Sequence, residues 1–251
     1  MMVLAIARRE LRSLFLSPMA WAILAVVQLI LAYLFLNRID SFLLIEPRLV
    51  GVPGAPGVTG LVVAPLLGDA GTIVLLVMPL LTMHLISEER RSRTLNLLFS
   101  SPASMTEITL GKYLGILLFL LIMLAMIALM PLSLLSGTHL DLGMFGAGLL
   151  GLVLLAASFA AAGLFMSTLT SQPAVAAIST FGLLLLLWII DWAGTVSTET
   201  RALFGYLSLT RHYETLLRGI FNSGDIVYYL LFIITFLVLS VRRLDAERLQ
   251  H

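Results

Sequence analysis

The sequence predicts an all-α membrane protein with six transmembrane helices, and three observations carry that expectation. Hydrophobic residues make up 60% of the 251 positions and charged residues only 12%, about half the roughly 25% charged content of a soluble domain. Mean hydropathy is +1.06. Six apolar stretches, about 19–37, 70–86, 113–135, 143–167, 174–193 and 226–241, reach or approach the length needed to cross a hydrocarbon layer roughly 30 Å thick. The chain is expected to form a single transmembrane domain over 1–251. It holds no cysteine, which excludes disulfides and thiolate metal sites without fixing the compartment.

Ahead of the first stretch, Val3, Leu4, Ala7, Leu11, Leu14 and Phe15 share one helical face, with Arg8, Arg9 and Arg12 beside or opposite it. That pattern predicts an N-terminal helix lying in the membrane surface. Ser17-Pro18 then suits the start of the first span. Gln28 within that span is expected to make an interhelical hydrogen bond. The segment from Arg38 to Asp69 is expected to be an outer loop, because the Gly and Pro residues between Gly51 and Gly60 oppose a helix.

Pro79 sits inside the second span and His84 near its inner end, where a packing role is the expected one. The fourth span is rich in small residues, from Gly143, Gly146, Gly148 and Gly151 to Gly163, which predicts close helix approach, within one subunit or at the interface with a second. A tight uncharged turn is expected over 167–173. Asp191-Trp192 closes the fifth span at an interface. Between Gly194 and Asp225, Leu203, Phe204, Leu207, Leu209, Tyr213, Leu216, Leu217, Ile220 and Phe221 alternate with Arg211, His212, Glu214 and Arg218. Short outer helices, re-entrant or interfacial, are the expected outcome, with the apolar side of 201–221 packed on the membrane domain and the charged residues, His212 among them, left exposed.

The stretch 87–112 is a polar hinge between two apolar runs. Five charges crowd Glu88, Glu89, Arg90, Arg91 and Arg93, and at roughly 2.5–3.5 kcal/mol per charge at a bilayer centre they must lie in water or against protein. Helical spacing places Leu95, Leu98 and Phe99 on one apolar arc, so a short amphipathic helix is expected over 88–99. Ser101-Pro102 interrupts it, and Ser104 with Glu107 has the spacing of a capping box.

This hinge resembles the cytoplasmic loop of type-two ABC transporter permeases. The resemblance rests on Glu89, Thr94, Leu95, Leu98, Ser101-Pro102-Ala103, Glu107-Ile108 and Gly111-Lys112, with Arg93 standing where that family usually has Gly. The stretch 207–219 is similar to the gliding-motility and nitrous-oxide-reductase maturation branch. The resemblance implies a permease subunit, an exporter in expectation, whose coupling helix docks on a separate ATPase through Glu88, Glu89, Arg90, Arg91, Thr94, Leu95, Leu98 and Phe99. It implies two ATPase subunits per complex, a second permease subunit that is identical or similar, and periplasmic or auxiliary membrane proteins as further partners. Membrane lipids surround the spans, and nucleic acid is not an expected partner.

The chain lacks the G-x-x-x-x-G-K-[ST] phosphate cradle. ATP and Mg are therefore expected on the partner, with no cofactor, catalytic residue or metal ligand on this chain. His84, His139, His212 and His251 show no zinc spacing. Two other readings share parts of the pattern. An ATPase-linked membrane anchor that transmits force without moving a solute shares all of it. An intramembrane serine protease shares the span count and the proximity of Ser136 to His139, but no G-x-S-G stands within a span.

With both termini inside a bacterial inner membrane, the inner segments carry Arg8, Arg9, Arg12, Arg90, Arg91, Arg93, Lys112, Arg242, Arg243 and Arg248, and the outer ones only Arg38, Arg48, Arg201, Arg211 and Arg218. The positive-inside rule favours this orientation. The absence of native thiols makes it testable. Ser92→Cys is expected to resist a membrane-impermeant thiol reagent in intact cells and Ser197→Cys to react with it; the reverse labelling would invert the topology.

Overall fold

The computed structural model describes residues 2–49, 57–92, 104–193 and 208–248. They form α1 (Met2–Leu16), α2 (Pro18–Leu49), α3 (Ala64–Thr82), α4 (Ser87–Arg91), α5 (Met105–Ser133), α6 (Leu142–Leu169), α7 (Pro173–Ala193), α8 (Leu209–Leu217) and α9 (Ser223–Arg248). A π-helical turn, Thr59–Val63, leads into α3. Among the described residues there is no strand. Five helical runs, beginning at Pro18, Thr59, Met105, Leu142 and Ser223, are long and apolar enough to cross a membrane, and α7 supplies a shorter apolar run, Pro173–Ile189.

The core is organised around α6, on which α3, α5, α7, α8 and α9 all pack. Its small residues make this possible. A Cβ added at Gly148 would lie 2.8 Å from Leu67, one at Gly151 3.0 Å from Leu216, and one at Gly163 2.3 Å from the Thr82 hydroxyl. Gly148, Gly151 and Gly163 thus serve contacts within the chain, whereas Gly146 meets nothing within 4 Å. Phe159, Leu152, Leu155 and Leu164 fill the space that remains. By contrast α2 and α9 sit at the periphery, with Leu29, Tyr33, Leu36, Leu231 and Ile234 exposed to the surroundings.

α1 crosses α5 where Gly111 and Gly115 remove the steric barrier; added Cβ atoms there would meet Ile6 at 2.7 Å and Glu10 at 2.6 Å. Ala7 is buried at this crossing, while Leu4, Arg8, Arg9 and Arg12 stay exposed. Trp21 Nε1 donates to the Phe15 carbonyl at 2.8 Å and fixes the angle between α1 and α2. The expected capping box is present: Glu107 N–H donates to Ser104 Oγ at 3.1 Å, and Ser104 N–H to Glu107 Oε2 at 3.0 Å. Gln28 Nε2 donates to the Met123 carbonyl at 3.3 Å, the interhelical bond its placement suggested.

Three expectations are corrected. Arg38 and Asp69 do not bound a loop: α2 continues to Leu49, helix resumes at Thr59, and Arg38 Nε donates to Asp69 Oδ2 at 3.2 Å between α2 and α3. Apolar residues such as Phe42, Leu43 and Leu44 carry α2 onward, to about 48 Å for its 32 residues. Residues 50–56 lie outside the described residues. The turn expected over 167–173 is shorter, because α6 runs to Leu169 and α7 opens at Pro173.

The third correction concerns α8, whose His212 is not a surface charge. His212 is buried, meets Asp225 through Nδ1 at 2.6 Å and stacks on Tyr228. Leu209, Tyr213 and Leu216 are buried as expected, whereas Ile220 and Phe221 are exposed. Leu203, Phe204 and Leu207 lie outside the described residues. Tyr213 donates to the Leu67 carbonyl at 2.6 Å and Tyr229 to the Leu209 carbonyl at 2.8 Å, so α8 is seated among α3, α6 and α9. Burial, with Tyr229 and Asp69 nearby, pushes the Tyr213 hydroxyl well above its ordinary value, which keeps it a donor.

Close packing at Gly163 yields a direct test. Gly163→Val is expected to destabilise the protein by about 1–3 kcal/mol or more through overpacking against Thr82. Gly146→Ala, which meets nothing within 4 Å, is expected to leave thermal unfolding in detergent unchanged.

Candidate functional site

At the end of the bundle where α1, α4, α5 and the last turn of α6 meet, the chain builds a charged cluster around α4. The cluster begins with a break in the helix. The helical ladder stops at Thr82, leaving buried amides at Ile86 and Ser87 that need acceptors. Ser167 of α6 supplies one: Ile86 N–H and Ser87 N–H both donate to its Oγ at 3.0 Å, while its own hydroxyl donates to the Met83 carbonyl at 3.3 Å. Ser87 Oγ also donates to the Met83 carbonyl. This knot marks the break in the α-helical ladder between Thr82 and Ser87, within the apolar run Thr59–Arg91.

Each charged side chain of α4 then takes a different direction. Glu89 accepts from Lys112 Nζ at 2.8 Å and from Arg9 Nη2 at 3.1 Å. Lys112 also reaches Glu10 Oε2 at 3.3 Å, and its side chain is only 3% exposed. Arg90 pairs with Glu247 of α9. Glu88 faces outward beside His84, whose Nδ1 lies 3.4 Å from Glu88 Oε2, and Arg91 is exposed. Among the eight residues expected to meet a partner, Glu89 and Arg90 therefore engage this chain's own α1, α5 and α9. Glu88 and Arg91 present to the outside. Thr94, Leu95, Leu98 and Phe99 lie outside the described residues, as does the expected break at Ser101-Pro102.

The pairs differ in worth. Arg9 is 63% exposed, and an exposed pair contributes about 0–1 kcal/mol. Lys112 is buried, and removing one partner of a buried ion pair leaves an uncompensated charge at a cost of about 3–5 kcal/mol. The Lys112 triad, not Arg9, therefore holds α1 and α4 on α5. Sequence reasoning missed Glu10, Lys112, Ser167 and Glu247 as members of this cluster. A signal existed for one of them: Lys112 is the sole lysine of the chain, flanked by Gly111 and Gly115 in an otherwise apolar helix, where an ammonium must find a carboxylate.

Other candidate chemistry is dispersed. Ser136 and His139 are both exposed, and Ser136 Oγ donates to the Ser133 carbonyl at 2.9 Å rather than to a base. Among the described residues no group of three or more His, Asp or Glu side chains converges on a metal-sized site.

Thermal unfolding of single and combined variants tests this ranking. Lys112→Met is expected to destabilise by about 3–5 kcal/mol and Arg9→Gln by less than about 1 kcal/mol. The triple change Lys112→Met, Glu10→Gln, Glu89→Gln is expected to recover most of the loss, since no buried charge is then stranded.

No curated protein matches the chain in sequence. A family model described as ABC-2 family transporter protein matches residues 4–249, a range that takes in nearly all of α1, the α4 cluster, α8 and all of α9. With helices long and apolar enough to cross a membrane several times, the chain belongs to the ABC-2 transporter family, as a multi-pass membrane permease of an ABC transporter.

Proposed function

We propose that the chain is the permease subunit of an ATP-driven exporter in a bacterial inner membrane, coupled to two separate ATPase subunits through the segment 88–99 and paired with a second permease subunit, identical or similar. In this reading α7 is the fifth of six spans. Both termini and α4 lie on the cytoplasmic side, and ATP with Mg resides on the ATPase. Membership of the family implies the ATPase association; the export direction rests on resemblance. The substrate is drawn from lipids, lipid-linked molecules, peptides or drugs, because the middle of the spans carries no ionisable side chain to serve an ion path.

One observation supports α4 as the coupling element. It is tied at once to α1 and α5 through Glu89, to α9 through Arg90–Glu247 and to α6 through Ser167. A push on α4 is therefore delivered to four helices, whereas a free loop would absorb it. The arc of Leu95, Leu98 and Phe99 supplies the apolar face that a groove on an ATPase would cover, with Glu88 and Arg91 at its rim, where charges orient more than they hold.

Two variants separate docking from relay. Leu98→Asp is expected to lower ATPase co-purification about tenfold or more, the loss of an anchoring hydrophobe worth about 2 kcal/mol. Ser167→Ala is expected to retain the ATPase while weakening the permease's effect on ATP hydrolysis in lipid discs. Stoichiometric ATPase with normal turnover in Leu98→Asp would contradict the docking assignment.

A further inference from the structure

Beside the α4 cluster lies a cavity of roughly 320 Å³ between α1, α2, α3, α4 and α5, a size suited to a small polar group. Its two walls differ in kind. One carries Arg9, Ser13, His84 and Glu88; the other is apolar, with Met19, Ile23 and Leu80 among its members. Leu80 is exposed, and it belongs to a helical run long and apolar enough to cross a membrane, so acyl chains can reach the apolar wall. The cavity therefore spans the boundary between headgroup and hydrocarbon, with Trp21, an interfacial residue type, close by on α2.

The charges of the lining are unevenly committed. Lys112 is consumed by Glu10 and Glu89. Arg9 lines the cavity, holds Glu89 through Nη2 and remains 63% exposed. Glu88 is half exposed, with His84 Nδ1 at 3.4 Å. Arg9 and Lys112 stand against Glu10, Glu88 and Glu89, so, leaving His84 aside, the lining carries one negative charge in excess. An anionic headgroup would add to that excess. A zwitterionic headgroup with a primary ammonium adds none, and offers a phosphate to the Arg9 guanidinium and an ammonium that can donate to Glu88.

We propose that this cavity is a binding site for an aminophospholipid of the surrounding bilayer, phosphatidylethanolamine in chemical class, held by Arg9 at the phosphate and Glu88 at the ammonium with its acyl chains running along Met19, Ile23 and Leu80. The commitment to a lipid rather than free phosphate follows from the apolar wall, which a soluble anion would leave unmatched. The site shares Glu88 with the rim proposed for the ATPase groove, so lipid binding is measured in the absence of the ATPase. Because α1, α3 and α4 all contribute to it, an occupying lipid bridges α1 to the α4 cluster.

The test uses the full chain without ATPase, in discs containing equal parts phosphatidylethanolamine, phosphatidylcholine and phosphatidylglycerol, with native mass spectrometry of the lipid that stays bound on release. Wild type is expected to retain phosphatidylethanolamine about tenfold over the other two, the effect of a hydrogen bond to a charged group worth about 1.4 kcal/mol. Glu88→Gln is expected to abolish that preference. A second arm needs no variant: stepwise N-methylation of the headgroup, which removes donors one by one, is expected to lower retention by wild type in step. Bound lipid that mirrors the bulk mixture, retention indifferent to N-methylation, or displacement by inorganic phosphate would each overturn the proposal, the last by revealing a plain anion site.

Discussion

The arrangement of this end of the bundle depends on the burial of one ammonium group. Lys112 sits on α5 with a side chain only 3% exposed, a position tolerable only if carboxylates come to it. Gly111 and Gly115 allow α1 to lie directly on α5 and so bring Glu10 within reach. Glu89 arrives from the opposite direction on α4. Satisfying one charge therefore fixes the crossing of α1, the rotation of α4 and the height of both relative to α5. Ion pairs of this kind contribute less to stability than to uniqueness, and uniqueness is what a short helix such as α4 lacks on its own.

From this point the packing runs without interruption to the other end. The knot at Ser167 joins α4 to α6; Thr82 presses on Gly163, Leu67 on Gly148, and Tyr213 and Leu216 on Gly151. The α8 end is closed by hydrogen bonds from Tyr213 to Leu67 and from Tyr229 to Leu209. Cores at such density transmit displacement instead of absorbing it, so in the proposed function a movement of α4 reaches α8 through α6 and α3.

The helical plan was legible in the sequence because it depends on hydropathy runs and local signals. The capping box at Ser104 and Glu107, the bond from Gln28 and the close packing at the α6 glycines were all readable as residue types at fixed spacing. What was not readable depends on side chains from distant segments. Ser167 lies 80 residues from Ser87 and looked like part of a polar turn. Glu247 looked like tail charge until α9 brought it to Arg90. Arg38 and Asp69 looked like loop residues because Gly and Pro lie between them, yet each belongs to a helix that continues past the expected span and finds its counter-charge there. His212 was assigned to the surface by its polarity; Asp225 is what makes its burial possible.

The most direct measurement of the account is a charge exchange at the pair that links α4 to α9, read as the rate of ATP hydrolysis by the assembled complex in lipid discs relative to the ATPase alone. Arg90→Glu should place two carboxylates together and erase the permease's influence on hydrolysis, and adding Glu247→Arg should restore it, since the exchange rebuilds the ion pair between the same two positions. A double variant no better than the single one, or a single variant with wild-type coupling, would contradict the claim that α4 acts through its ties to the spans.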